Sequence, residues 1–143
     1  MKVIRPLTYH PPVVSVRPHL HESYPATPDA VAPLRHAVGE YASASGVSGL
    51  QLEAVELATS EAITNVVLHA YQGHAGEVHV TARMIGDELW VLVADDGRGP
   101  SAPPLRPGLG WGLAFITDAC DEFTLVERAS GGTEARMVFR LRP

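Results

Sequence analysis

The sequence predicts a two-layer α+β sandwich, with helices on one face of a mixed, mostly antiparallel sheet. Three observations carry this expectation. The apolar period is helical through the first half of the chain and changes to two at Glu77. The elements then run α, α, β, β, loop, α, β, β, which segregates helices from a sheet rather than alternating them with parallel strands. Finally, 143 residues with 45% apolar and 19% charged side chains suffice for one domain with its own core.

Taken in order, residues 1–22 read as an extended arm, rich in Pro and His, in which Val13–Val16 can form a short strand. Its histidines (His10, His19, His21) have no fixed ligand spacing, so a plain surface arm is expected rather than a metal site. Residues 23–143 form the expected domain. Thr27-Pro28-Asp29 looks like a helix start, with a capping hydroxyl, proline at the first position and an acid in the first turn. That helix runs to about Ser45 and stops at Gly46, with Pro33 bending or delaying its start. A second helix runs from Leu50 to Tyr71. Glu77–Ile85 and Glu88–Ala94 alternate around a turn at Gly86-Asp87, which makes a hairpin. Asp95–Pro107 has no period and four prolines, a loop long enough to carry function. A third helix covers Leu109–Ala119. Strands Glu122–Glu127 and Glu134–Leu141 close the chain around Ser130-Gly131-Gly132.

Composition narrows the functions. A net charge of −5 argues against nucleic acid as the main partner. Cys120 is the single cysteine, so no intrachain disulfide and no cysteine-based zinc site can form. No run of 18 apolar residues and no signal-peptide pattern occurs, so a soluble cytoplasmic protein without a membrane partner is expected.

The stretch SEAITNVVLHAY, residues 60–71, is mostly apolar, yet Glu61, Asn65 and His69 recur every four residues. At about 100° per residue they share one helical stripe, at about 0°, 40° and 80°, with Ala54 and Ala58. Glu53, Glu56, Ser60 and Thr64 fall on a separate arc, the expected solvent face. Two readings stay open for Glu61 and Asn65: polar groups lining a cavity, or an amphipathic edge that meets water.

Two further segments bear on that choice. Asp95-Asp96-Gly97-Arg98-Gly99 follows a strand, and an acid followed by spaced glycines lets backbone approach a ligand closely. Gly108-Leu109-Gly110-Trp111-Gly112-Leu113 bares N–H groups at a helix start, which suits phosphate. It is not the dinucleotide fingerprint, since no βαβ unit surrounds it, and no Gly-Lys-Ser/Thr exists for a P-loop. Lys2 is the only lysine.

In this order, ExxxN on a helix, DxGxG after a strand, GxGxGL at a helix start and Gly132-Thr133 before the last strand resemble the motif series of the GHKL (Bergerat-fold) ATPases. The stretches SEAITNVVLHAY, VADDGRGP, GLGWGLAFITDACDEFTL and GGTEARMVFRL are similar to the small anti-sigma-factor serine/threonine kinases. The resemblance implies ATP and Mg²⁺ as cofactors, with Glu61 as general base and Asn65 as the Mg²⁺ ligand. It implies that Asp95 accepts from the adenine amino group, flanked by Gly97 and Gly99, with Thr133 near the base. Gly108, Leu109, Gly110, Trp111, Gly112 and Leu113 become the lid and phosphate-binding turn. His69 and Tyr71 match the end of the family's helix, where packing or a hydrogen bond is expected rather than chemistry. Arg98 and Arg106 are open between neutralising phosphate and simple solvation. The implied partners are a sigma factor, an anti-anti-sigma STAS-domain protein and a second copy of the chain. Alternatives are a nucleotide-binding partner-switching module with little transfer, and a detached histidine-kinase ATPase domain.

Overall fold

The computed structural model describes residues 18–99 and 113–142. Strand β1 (Leu20–Pro25) leads, followed by a 3₁₀ turn (Pro28–Ala30) into helix α1 (Val31–Ala44). Helix α2 (Gly49–Asn65) continues into a π-helical turn, Val66–Ala70. Then come β2 (Glu77–Ile85), β3 (Glu88–Asp95), helix α3 (Leu113–Ala119), β4 (Glu122–Glu127) and β5 (Thr133–Arg140). The strands lie in the order β1-β2-β3-β5-β4, and each of the four neighbouring pairs is antiparallel. This is the expected α+β sandwich, with a sheet antiparallel throughout its described strands.

Alternation puts one residue in two on the helical side. Val80 faces Val93, Ala82 faces Val91, Val91 faces Met137 and Leu89 faces Phe139 across the ladders. All are buried, against Leu34 and Val38 of α1, Val55, Ala62 and Ile63 of α2, and Ile116 of α3. Each large aliphatic side chain so buried contributes about 1.5–3 kcal/mol relative to leaving it in water. The opposite sheet face carries half-buried His79, Thr81, Arg83, Trp90 and Leu92.

Three local expectations are corrected. The first strand begins at Leu20, inside the stretch read as an arm, because its alternating burial lets it pair with β2; Val13–Val16 lie outside the described residues. Thr27 has extended backbone angles before the 3₁₀ turn, but its hydroxyl makes no capping bond. The expected solvent arc of α2 is only partly exposed. Glu53 is exposed, while Glu56, Ser60 and Thr64 are half-buried. The Glu56 carboxylate packs where a side chain on Gly39 would stand, so α1 covers that arc. The exposed edge of the helix instead shows Leu50 and Leu57.

Candidate functional site

An open cleft lies between α2, α3 and the ends of β3, β4 and β5. Ala62, Val66, Val93, Ile116, Phe123 and Ala135 give it apolar walls, as is usual for a small-molecule site. Its polar groups are few and come from separate elements: Asn65, His69, Asp95, Arg98 and Thr133.

Asp95 is set by strand period. Val91, Val93 and Asp95 share the inner face of β3, and Asp95 falls where that face meets the cleft. It is only 5% exposed. Burial raises the pKa of its carboxyl above the ordinary value, although N–H donors from Gly97 and Thr133 and the nearby Arg128 charge pull it back. Both backbone donors reach the same oxygen: Oδ1 accepts from Gly97 at 2.9 Å and from Thr133 at a weaker 3.4 Å. Among the described residues no donor reaches Oδ2. A buried carboxylate half satisfied by the protein fits a ligand that supplies a donor.

The glycines after Asp95 answer to space. A Cβ on Gly97 would collide with the carbonyl of Ala70, so the loop passes against the end of α2 only without a side chain. Gly99 has φ +88°, open to glycine at little cost. Arg98 between them is pinned rather than solvated: its amide donates to Ala70 O at 3.0 Å and its Nε to His69 O at 2.8 Å. These bonds satisfy carbonyls that a helix terminus leaves open. The π-helical turn is a feature the 3.6-residue pattern gave no sign of, and such turns recur at functional sites.

Asn65 is half-buried at the last α-helical position and lines the cleft. Glu61, one turn earlier, is half-buried too but does not line the cleft. The cavity-lining reading therefore describes Asn65, and the edge reading describes Glu61. The structure brings together Asn65, Asp95, Gly99, Leu113 and Thr133, with Gly97 behind the wall. Gly108, Leu109, Gly110, Trp111 and Gly112 lie outside the described residues, as does Arg106. His69 is buried, and the Tyr71 hydroxyl donates to Glu77 O and accepts from the Asp96 amide at 2.9 Å, so Tyr71 holds structure, as expected.

Sequence reasoning passed over Phe123 and Leu125, whose period-two spacing on β4 was visible, and the group around Asp96, which leaves no local pattern. Asp96 accepts from Arg128 Nη1 and Ser130 Oγ, each at 2.8 Å, and from His79 Nε2 at 3.1 Å. Those bonds, first from Ser130 and His79, hold its carboxyl below the usual range. Among the described residues no group of three or more His, Cys, Asp or Glu is placed to hold a metal ion. No described helix is long and apolar enough to cross a membrane.

Residues 24–139 match the model of the histidine kinase-like ATPase domain. The chain is 36% identical to the serine-protein kinase RsbW of Bacillus subtilis, with 82% of each chain covered. It is 38% identical to the RsbW of Bacillus licheniformis and 36% to that of Bacillus cereus. Over those two the match spans about half the relative's length, 54%, and 60% of this chain.

Proposed function

The chain belongs to the histidine kinase-like ATPase family, beside the RsbW serine-protein kinases, and from that premise we propose that it is an anti-sigma factor with ATP-dependent serine/threonine kinase activity. In this reading it sequesters a sigma factor in the cytoplasm and phosphorylates a STAS-type anti-anti-sigma protein. The observation that carries the nucleotide half is Asp95: a buried carboxylate at the inner end of an apolar cleft, one oxygen bound to backbone and the other left for a donor. An adenine amino group supplies that donor and a guanine carbonyl does not, so adenine nucleotides are preferred.

The donor set fits Mg²⁺, a hard cation that takes oxygen ligands, keeps several waters and needs few protein groups when phosphates are present. Asn65 offers one side-chain oxygen at the cleft, and no denser cluster occurs among the described residues. When bound, the ion neutralises charge on the transferring phosphoryl group. The chain's own work is to orient the nucleotide through Asp95 and Thr133, to exclude water with the apolar wall, and to accept a hydroxyl proton at Glu61. Incubation with γ-labelled ATP and each anti-anti-sigma protein encoded in the same genome tests this directly. Label on a serine or threonine of one of them supports the kinase.

The position of Glu61 outside the cleft lining favours a second reading: a module that binds ATP or ADP and switches partners with little transfer. Tight nucleotide binding without label on any partner establishes it.

A further inference from the structure

Asp95 and Asp96 are adjacent carboxylates with opposite surroundings. Asp95 is buried at the cleft, whereas the Asp96 side chain is 46% exposed and tied to three elements. One nitrogen of Arg128 donates both to Asp96 Oδ1 at 2.8 Å and to the backbone carbonyl of Asp95 at 3.1 Å. Arg128 and Ser130 belong to the β4–β5 turn that delivers Thr133, and that turn is closed on itself by Arg128 N to Gly132 O and Gly131 N to Arg128 O, each 2.8 Å. Gly132 lies so close to the Asp95 carbonyl that a Cβ has no room. From the other side, His79 Nε2 donates to Asp96 Oδ2 while its Nδ1 bonds the Ser23 hydroxyl at 2.7 Å, which extends the chain of bonds to β1. Tyr71, just past the π-helical turn, accepts from the Asp96 amide.

Segments beside the buried Asp95 thus converge on Asp96: β3 through Asp95, the β4–β5 turn that leads into Thr133 through Arg128 and Ser130, and the residue after the π-helical turn through Tyr71. We propose that Asp96 is a positioning residue which, through Arg128, fixes Asp95 and Thr133 for an adenine base and so sets adenine affinity and adenine-over-guanine selectivity without touching the ligand. The proposal rests on the nucleotide-binding reading above and adds to it a residue behind the site. The partners are the reason the role is more than general stability. Loss of the brace lets Asp95 and the turn move independently, and a misplacement of about 1 Å is enough to weaken an oriented site markedly.

The test is calorimetric titration of the full chain with Mg·ADP, Mg·GDP and Mg·tripolyphosphate, which carries phosphates but no base. Asp96→Ala is expected to weaken ADP about tenfold, to narrow the ADP-to-GDP ratio, and to leave tripolyphosphate unchanged. Arg128→Ala is expected to do the same, and the double variant to lose little beyond either single one, as for two parts of one unit. A folded Asp96→Ala protein that binds ADP like wild type, or that loses ADP and tripolyphosphate equally, overturns the proposal. Should Asp96→Ala fail to fold, Ser130→Ala removes one donor alone, and the same base-specific loss, about two- to threefold, is expected; no loss overturns it. Wild type that binds no adenine nucleotide sinks the nucleotide reading itself, an outcome distinct from a wild type that binds and an Asp96 variant that matches it.

Discussion

The two ends of the cleft are built on different principles. At the inner end, Asp95 is held by backbone: Gly97 and Thr133 donate to it, Arg128 grips its carbonyl, and Gly132 packs on it without a side chain. At the helical end, Asn65 is a side chain on α2, and Glu61 stands one turn before it outside the cleft lining; both are half-buried, with no hydrogen bond to another described residue. The inner end is thus held by the protein's own bonds. The helical end offers chemistry that takes its geometry from whatever binds. In the kinase reading proposed above, the nucleotide base would take a fixed handle at the inner end while metal and acceptor assemble at the helical end.

The largest expected effect breaks the comparison at its helical end. Glu61→Gln keeps shape and removes the proton acceptor, so transfer to the partner should fall about 10²–10⁴-fold while ADP affinity stays at the wild-type value. Single-turnover phosphorylation beside calorimetry reads both. Transfer at the wild-type rate means that Glu61 is not the base. Next, Gly97→Ala tests the inner end. Its methyl meets the Ala70 carbonyl, a backbone atom that cannot swing away, so the loop or the π-helical turn must shift. A loss of about 3 kcal/mol is expected in urea unfolding, at the upper end for single substitutions. The equivalent change at Gly73, where a side chain meets nothing but φ is +85°, separates crowding from backbone strain.

Sharpening the inner end further, Asp95→Asn should weaken ADP binding by about 1–3 kcal/mol, since the amide offers a donor where the purine also offers one. Glu61→Gln should leave that number alone. Affinity for GDP should change less than affinity for ADP, and an equal loss of both removes Asp95 from base recognition.

The contrast between the two ends also explains what could be read from the sequence. The hairpin of β2 and β3 and the strand β4 were legible nearly to the residue because Val78, Val80 and Ala82 alternate and Gly86-Asp87 breaks the run. Asp95 and Gly97 stood out as an acid at a strand end followed by a glycine that permits close backbone approach, whereas Thr133 was singled out only through the family resemblance. The brace around Asp96 was not, since its members lie on β1, β2, β3 and the β4–β5 turn and meet only through the sheet register. The solvent face of α2 was misplaced for a related reason. Helical angles say which residues share a face, but where α1 lands is a tertiary fact, decided by the small side of Gly39. The π-helical turn has no signature in a 3.6-residue pattern.

The smallest effect concerns the cost of holding Asp95 ready. Its folded pKa lies above the ordinary carboxyl value, chiefly through burial. A carboxyl with a raised folded pKa favours the fold when protonated, below its unfolded value of about 3.9, and that advantage is lost as pH rises through the folded pKa. Ionising the buried Asp95 carboxyl therefore costs the fold stability as pH rises through its folded pKa. Asp96 has the opposite sign: its lowered pKa stabilises the fold above about pH 4, and this is lost as pH falls through its folded value. Asp95→Asn mimics the neutral carboxyl and keeps an oxygen for the Gly97 and Thr133 amides. Its Tm without nucleotide should exceed that of wild type at neutral pH, and the gap should close as pH drops toward about 4. With saturating ADP the order should reverse, because the wild type binds more tightly and gains more from the ligand. A variant less stable than wild type when empty at neutral pH shows that the carboxylate is already satisfied by the protein, and the inner end then needs no donor from a base.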